Sequence, residues 1–160
     1  TIARTIAVVA LLAWNSCMAD PKSEVEQLMN DAVGVAFADS MLRQHGEFFP
    51  YGVAMKPDGE IVSVAIDTDT DQPASEEVID VLEKSMKESA ELGEYKAAGI
   101  FYDVRVTLPS TGEPSDAIAA SLFHAEGYSV TVFFPYRIES EGVEYGELFA
   151  QAADNVVFAK

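Results

Sequence analysis

Cysteine is almost absent. The chain of 160 residues holds one, Cys17, so no disulfide can form within it. Histidine is scarce as well, with only His45 and His124 available as imidazole bases or ligands. Positive charge is thin: 10 lysines and arginines stand against 27 aspartates and glutamates, for a formal net charge of -17. A field of that sign repels phosphate backbones and anionic lipid surfaces, so nucleic acid and such membranes are excluded as charge-driven partners. A basic protein is attracted, while plain solubility is the simpler use of the same charge. No Gly-rich phosphate cradle, no Gly-x-Ser-x-Gly turn and no repeat of solenoid period occurs. No cofactor is implied.

Long apolar runs are missing too. The uncharged stretch from Thr5 to Trp14 is too short to span a bilayer as a helix. It follows Arg4, the only charge before Asp20, and leads to Asn15-Ser16-Cys17-Met18-Ala19. A basic start, an apolar middle and small residues before a cut describe a secretory signal. Residues 1–19 are therefore read as a signal peptide and 20–160 as a single domain, periplasmic or secreted by a bacterium. A second reading makes Cys17 a lipidation site and the chain a lipid-anchored protein, although Trp14 and Asn15 depart from the usual lipoprotein pattern. A third makes the segment a buried helix.

What is present is a globular composition: 49% apolar and 23% charged. A chain of this length buries roughly 70% of its unfolded surface, enough for a core without bridges or metals. Ser23 and Glu26 form a capping box. Val25, Leu28, Met29, Ala32, Val33, Ala36, Phe37 and Met41 keep helical spacing, predicting one helix over 23–45 with Gly46 as its C-cap. Residues 51–55 and 61–66 read as strands joined by Lys56-Pro57-Asp58-Gly59-Glu60, a hairpin turn. Ser75 caps a second helix that Gly93 ends.

Three longer strands follow. The first alternates Ala98, Ile100, Tyr102, Val104, Val106 and Leu108. The second alternates Ile118, Ala120, Leu122 and His124; the third, Tyr128, Val130, Val132, Phe134 and Tyr136. Ala125-Glu126-Gly127 joins the last two. Residues 144–153 read as a short helix. The order α-β-β-α-β-β-β-α predicts an α+β fold with a five-stranded antiparallel sheet. It resembles profilin-like and roadblock-like domains, whose sheet runs 2-1-5-4-3.

Four constellations carry candidate chemistry. Phe-Phe-Pro-Tyr occurs at 48–51 and again at 133–136. In that sheet order both copies meet at one end, where Phe48, Phe49, Tyr51, Phe133 and Tyr136 form a partner-binding aromatic patch or part of the core. Asp67, Asp69 and Asp71 alternate as at the start of a calcium loop, but Gln72 and Val78 stand where such a loop needs Gly and Glu. His45, near Glu47, and His124, near Glu126, are candidate acid–base residues. Asp103 and Arg105 lie on the less apolar face of their strand, with Ser121, Ser129 and Thr131 expected beside them.

Gly46-Glu47-Phe48, Pro50-Tyr51-Gly52, Asp58-Gly59-Glu60-Ile61, Asp116-Ala117-Ile118, His124, Gly127-Tyr128 and Pro135-Tyr136 together resemble a family of small bacterial proteins of unknown function. The resemblance covers most of 20–160 and rests on turn and strand-edge residues. It implies a fold and supplies no activity or site residue. Three functional readings follow. The first is a non-enzymatic module that recognises a protein partner, for instance an inhibitor or immunity-type protein for a basic toxin. The second is a small enzyme using His45 or His124. The third is a weak calcium-binding domain.

Overall fold

A computed structural model describes residues 20–68 and 71–159. The segment 1–19, read above as a signal peptide and containing Cys17, lies outside the described residues, and so does Asp69. The apolar periodicity of 23–45 forms two helices rather than one: α1 (Pro21–Asn30) and α2 (Val35–His45). Asp20, not Ser23, is the N-cap of α1. Its carboxylate accepts from the Ser23 N–H at 2.7 Å, and Pro21 takes the first-turn position that needs no N–H. The break lies at 31–34. The Asp31 carboxylate accepts from the Val33 N–H at 3.2 Å, and Gly34 passes against the last turn of α1. A side-chain carbon on Gly34 would fall 2.5 Å from the Met29 carbonyl oxygen and no farther from that of Leu28. The Tyr51 hydroxyl keys this corner, donating to the Gly34 carbonyl at 2.6 Å and accepting from the Ala38 N–H at 3.2 Å. Gly46 closes α2 in the left-handed conformation, as its position predicts.

The sheet is antiparallel and larger than expected. Its strands are β1 (Tyr51–Met55), β2 (Ile61–Val64), β3 (Ala97–Thr107), β4 (Pro114–His124), β5 (Ser129–Glu139), β6 (Gly142–Tyr145) and β7 (Phe149–Ala152). Helix α3 (Ser75–Glu91) separates β2 from β3; its N-cap is Ala74, with Ser75 already inside. The order is β2-β1-β3-β4-β5-β6, with β7 also on β5. This corrects three expectations. The described residues form seven strands, not five. The segment 144–153 gives strand, not helix. The profilin-like order is absent: β1 pairs with β3, placing Tyr51 opposite Phe101, instead of with the last long strand. The hairpins at 56–60 and 125–127 stand as predicted, each with its glycine at positive φ.

Register then decides the faces. In β4 and β5 the apolar stripe Ile118, Ala120, Leu122, Val130, Val132 and Phe134 lies under α1 and α2. In β3 the stripe Ala98, Ile100, Tyr102, Val104 and Val106 points to the other face, where α3 packs with Val78, Leu82 and Met86. Asp103 and Arg105 consequently share the α1/α2 face, not that of Ser121 and Thr131, which bond each other at 3.0 Å on the opposite side. Full burial of side chains such as Phe101 and Leu28 contributes about 1.5–3 kcal/mol each. Among the described residues no helix is long and apolar enough to cross a membrane.

The α1–α2 corner gives a direct test. Gly34→Ala should cost about 1–3 kcal/mol in urea unfolding, because the clash is with backbone that cannot yield. Gly52→Ala, where Met86 Cε and the Leu82 side chain face the site, should cost less. Equal costs would refute this account of the corner.

Candidate functional site

The two Phe-Phe-Pro-Tyr copies are distributed by the fold among three environments. Phe48 and Tyr136 are buried together under α2, with Ala38, Leu42 and Ile118. Tyr51 joins their edge; its ring stacks on Phe101 at 5.1 Å and meets Phe37 edge-on at 4.9 Å. Phe133 lies on the opposite face of the sheet, stacked on Phe149 at 4.8 Å. Phe49 is 67% exposed. The copies therefore converge in part, through α2 instead of through neighbouring strands, and mostly inside the core.

The open apolar surface lies elsewhere. A helix about 10 Å across covers roughly two strands at a spacing of about 4.8 Å. On the second face α3 lies over β1 and β3, with the segment containing Val157 reaching Phe123. Among the described residues no helix covers the outer half of that face. There Val104, Val106 and Phe149 are half-buried around Ala117, Ala119 and Phe133. A small hollow of about 120 Å³ between Leu108, Pro135 and Leu148 extends this strip to the end of the sheet.

At that end the sheet forks. β4 and β5 pair from Phe123–Ser129 to Asp116–Tyr136 and no farther, while β3–β4 and β5–β6 each continue as hairpins. The space between is an open cleft of about 690 Å³. Each arm braces its own arginine: Arg105 binds Asp116 across β3–β4 at 3.1 Å, and Arg137 binds Glu144 across β5–β6 at 3.2 Å and Glu139 at 3.6 Å. At the base the Tyr136 hydroxyl donates to Asp103 at 2.8 Å. Partial burial pushes the Asp103 carboxyl above the usual range, with Asp116 and Glu47 adding to the rise against the Tyr136 bond. Behind the fork, Tyr145 donates to Asp39 at 2.6 Å, and Arg43 binds the same carboxylate at 2.8 Å. Arg43 holds Asp39 below the usual carboxylate range.

The histidines do not meet. His45 is exposed at the end of α2. His124 is buried at the far end of β4, where Nδ1 accepts from the Glu126 N–H at 3.1 Å. That bond leaves the proton on Nε2, which points at Glu24 Oε2 at 3.5 Å. Lys96 Nζ reaches the same oxygen at 2.8 Å. The carboxylate near His124 is thus chiefly Glu24 of α1, with Glu126 at 4.0 Å from the ring. Neither histidine lines any of the three clefts described among these residues. The arrangement docks α1 onto the β3–β4 hairpin. Asp67 and Asp71 are exposed ahead of α3, and among the described residues no group of three or more His, Cys, Asp or Glu could hold a metal.

Val104, Val106 and Phe149 were not singled out as surface residues by the sequence, though a signal exists: one helix of 17 residues cannot cover one face of a long-stranded sheet. Compared with known proteins, the chain matches no family model, no curated protein and no solved structure.

Two outcomes follow from the polar anchors. Glu24→Ala strands a half-buried lysine and should cost about 2–3 kcal/mol, most of it recovered in the double variant with Lys96→Met; a double-mutant cycle in urea checks this. Asp39 has a lowered folded pKa, so its stabilisation is present above the unfolded value and is lost as pH falls through the folded one. Asp39→Asn should therefore cost about 0.5 kcal/mol at neutral pH, the scale of a solvent-screened pair, and nothing at pH 2. A cost that persists in acid would show that the charge is not what matters.

Proposed function

We propose that the protein is a non-enzymatic binding module of the bacterial envelope or exterior, which recognises a basic protein partner. The observation that carries this reading is the half of the second sheet face that no helix among the described residues covers. An apolar strip of Val104, Val106 and Phe149, set on a rigid sheet and open to solvent, has the makeup of an interface centre. The charge of -17 supplies the complement for a positively charged partner and opposes pairing of two copies of this chain. Neutralising a basic enzyme or toxin by covering it is the concrete form. The histidines support catalysis poorly, since the nearer pair, His124 and Glu24, is closed off from solvent.

The test uses immobilised residues 20–160 against envelope and culture proteins at low and high salt. One basic species retained at low salt should elute at high salt, because screening removes the attraction. The Val104→Lys/Val106→Lys variant, folded with an unchanged melting curve, should bind that species at least tenfold more weakly. Equal retention by both forms would place the interface elsewhere, and no retained species at low salt would overturn the reading.

A further inference from the structure

The fork between β4 and β5 has a sequence cause and an exposed chemical consequence. The ladder is phased by the His124 N–H donating to the Tyr128 carbonyl at 2.8 Å. Hydrogen-bonded pairs then alternate through Leu122–Val130, Ala120–Val132 and Ile118–Phe134 to Asp116–Tyr136. The next such pair would set Pro114 opposite Ile138. Proline has no N–H, so that pair would lack one of its two hydrogen bonds, and the ladder stops short of it. On the other side of β5, the Gly146 N–H donates to the Pro135 carbonyl at 2.9 Å. That phase gives β6 the backbone groups of Arg137 and Glu139. Ile138, standing between them, therefore turns its own N–H and C=O away from β6 and into the cleft. The Pro114 carbonyl faces the same space from the opposite arm.

The cleft is thus bounded by two strand edges with unmet backbone groups: a donor and an acceptor on Ile138 and an acceptor on Pro114. Its side chains are unevenly charged. Two guanidiniums, Arg105 and Arg137, stand against four carboxylates, those of Glu113, Asp116, Glu139 and Glu144. Both arginines are engaged within their own hairpins, and Glu113 forms no ion pair among the described residues. Ile138, 52% exposed, and Leu108 supply apolar contact. Through Pro135, which borders both hollows, the cleft is continuous with the strip on the second face.

We infer that this cleft is a docking slot for an extended segment of the basic partner, one in which apolar residues alternate with lysine or arginine. One residue of the segment would exchange two hydrogen bonds with Ile138, as a strand added to an open edge. Side chains on one face of the segment would then lie beside Glu113, Glu139, Glu144 and Leu108, and those on the other face beside Asp116 and Ile138. The inference rests on the basic-partner reading and names where and how the partner's chain is gripped.

The probe is a fluorescein-labelled hexapeptide of alternating valine and lysine, titrated into residues 20–160 by anisotropy. Amide shifts and hydrogen exchange are followed by NMR. The Ile138 amide should exchange quickly in the free protein, then shift and become protected when the peptide binds. Methylating alternate peptide nitrogens should weaken binding at least tenfold, and a valine–glutamate peptide should not bind. Ile138→Pro removes the cleft donor without taking a bond from β6, and should weaken binding several-fold while the effect of peptide methylation, which reads the carbonyl of residue 138, persists. Glu113→Gln, which leaves the backbone alone, should weaken binding several-fold and guards against misfolding of the proline variant. Binding that ignores methylation, or shifts confined to α3, overturns the slot while leaving the basic-partner reading intact. Failure of the valine–lysine peptide to bind also overturns the slot, and the capture experiment then decides the broader reading on its own.

Discussion

The long ladder between β3 and β4 is the constraint from which the remainder hangs. Its eleven residue pairs run from Ala97–His124 to Thr107–Pro114. One end anchors α1 through Lys96, His124 and Glu24. The middle is narrow, with Ala117, Ala119 and Ala120 fully buried, so larger residues from both neighbouring strands and from the helices close over it. The other end projects past the last β4–β5 pair and becomes one arm of the fork. A shorter ladder would remove that arm and leave β5 with an ordinary neighbour along its length.

The two faces of the sheet are treated differently because the apolar stripe changes sides between adjacent strands. β3 directs its Val104 and Val106 away from α1 and α2, while β4 and β5 direct Ile118 and Phe134 toward them. A sheet that is apolar on both faces needs cover on both. Among the described residues two helices serve the first face and one serves part of the second. The remainder that they leave open adjoins the cleft.

Local chemistry was legible and long-range order was not. Lys56 to Glu60, Gly127 and Gly46 declare their turns and cap through residues that only those conformations suit. The fusion of α1 and α2 into one predicted helix came from a stripe that stays in phase across the corner; Asp31 and Gly34 mark the break, the glycine through a close approach that no local pattern reports. Tyr145, Leu148, Phe149 and Ala152 sit at helical spacing, yet they are held as strands by the exposed edge of β5. Whether β1 lies beside β3 or beside β5 depends on which way the chain turns after α3, and no residue encodes that alone. For the site, Pro114 was visible as a loop residue, but its meaning needed the register that sets it opposite Ile138.

The anchors of the two N-terminal helices span most of the chain. Glu24 meets His124, 100 positions later, and Asp39 meets Tyr145, 106 positions later. Tyr51 and Lys96 fasten the two helices first, and the bonds to His124 and Tyr145 complete that fastening only once β4 and β6 exist. Contacts of such separation slow the closing of the native state. A nascent chain lacking its final forty residues would already hold the β1 and β3 surfaces on which α1 packs, but would lack His124 and Tyr145, the partners that finish the attachment of the two helices.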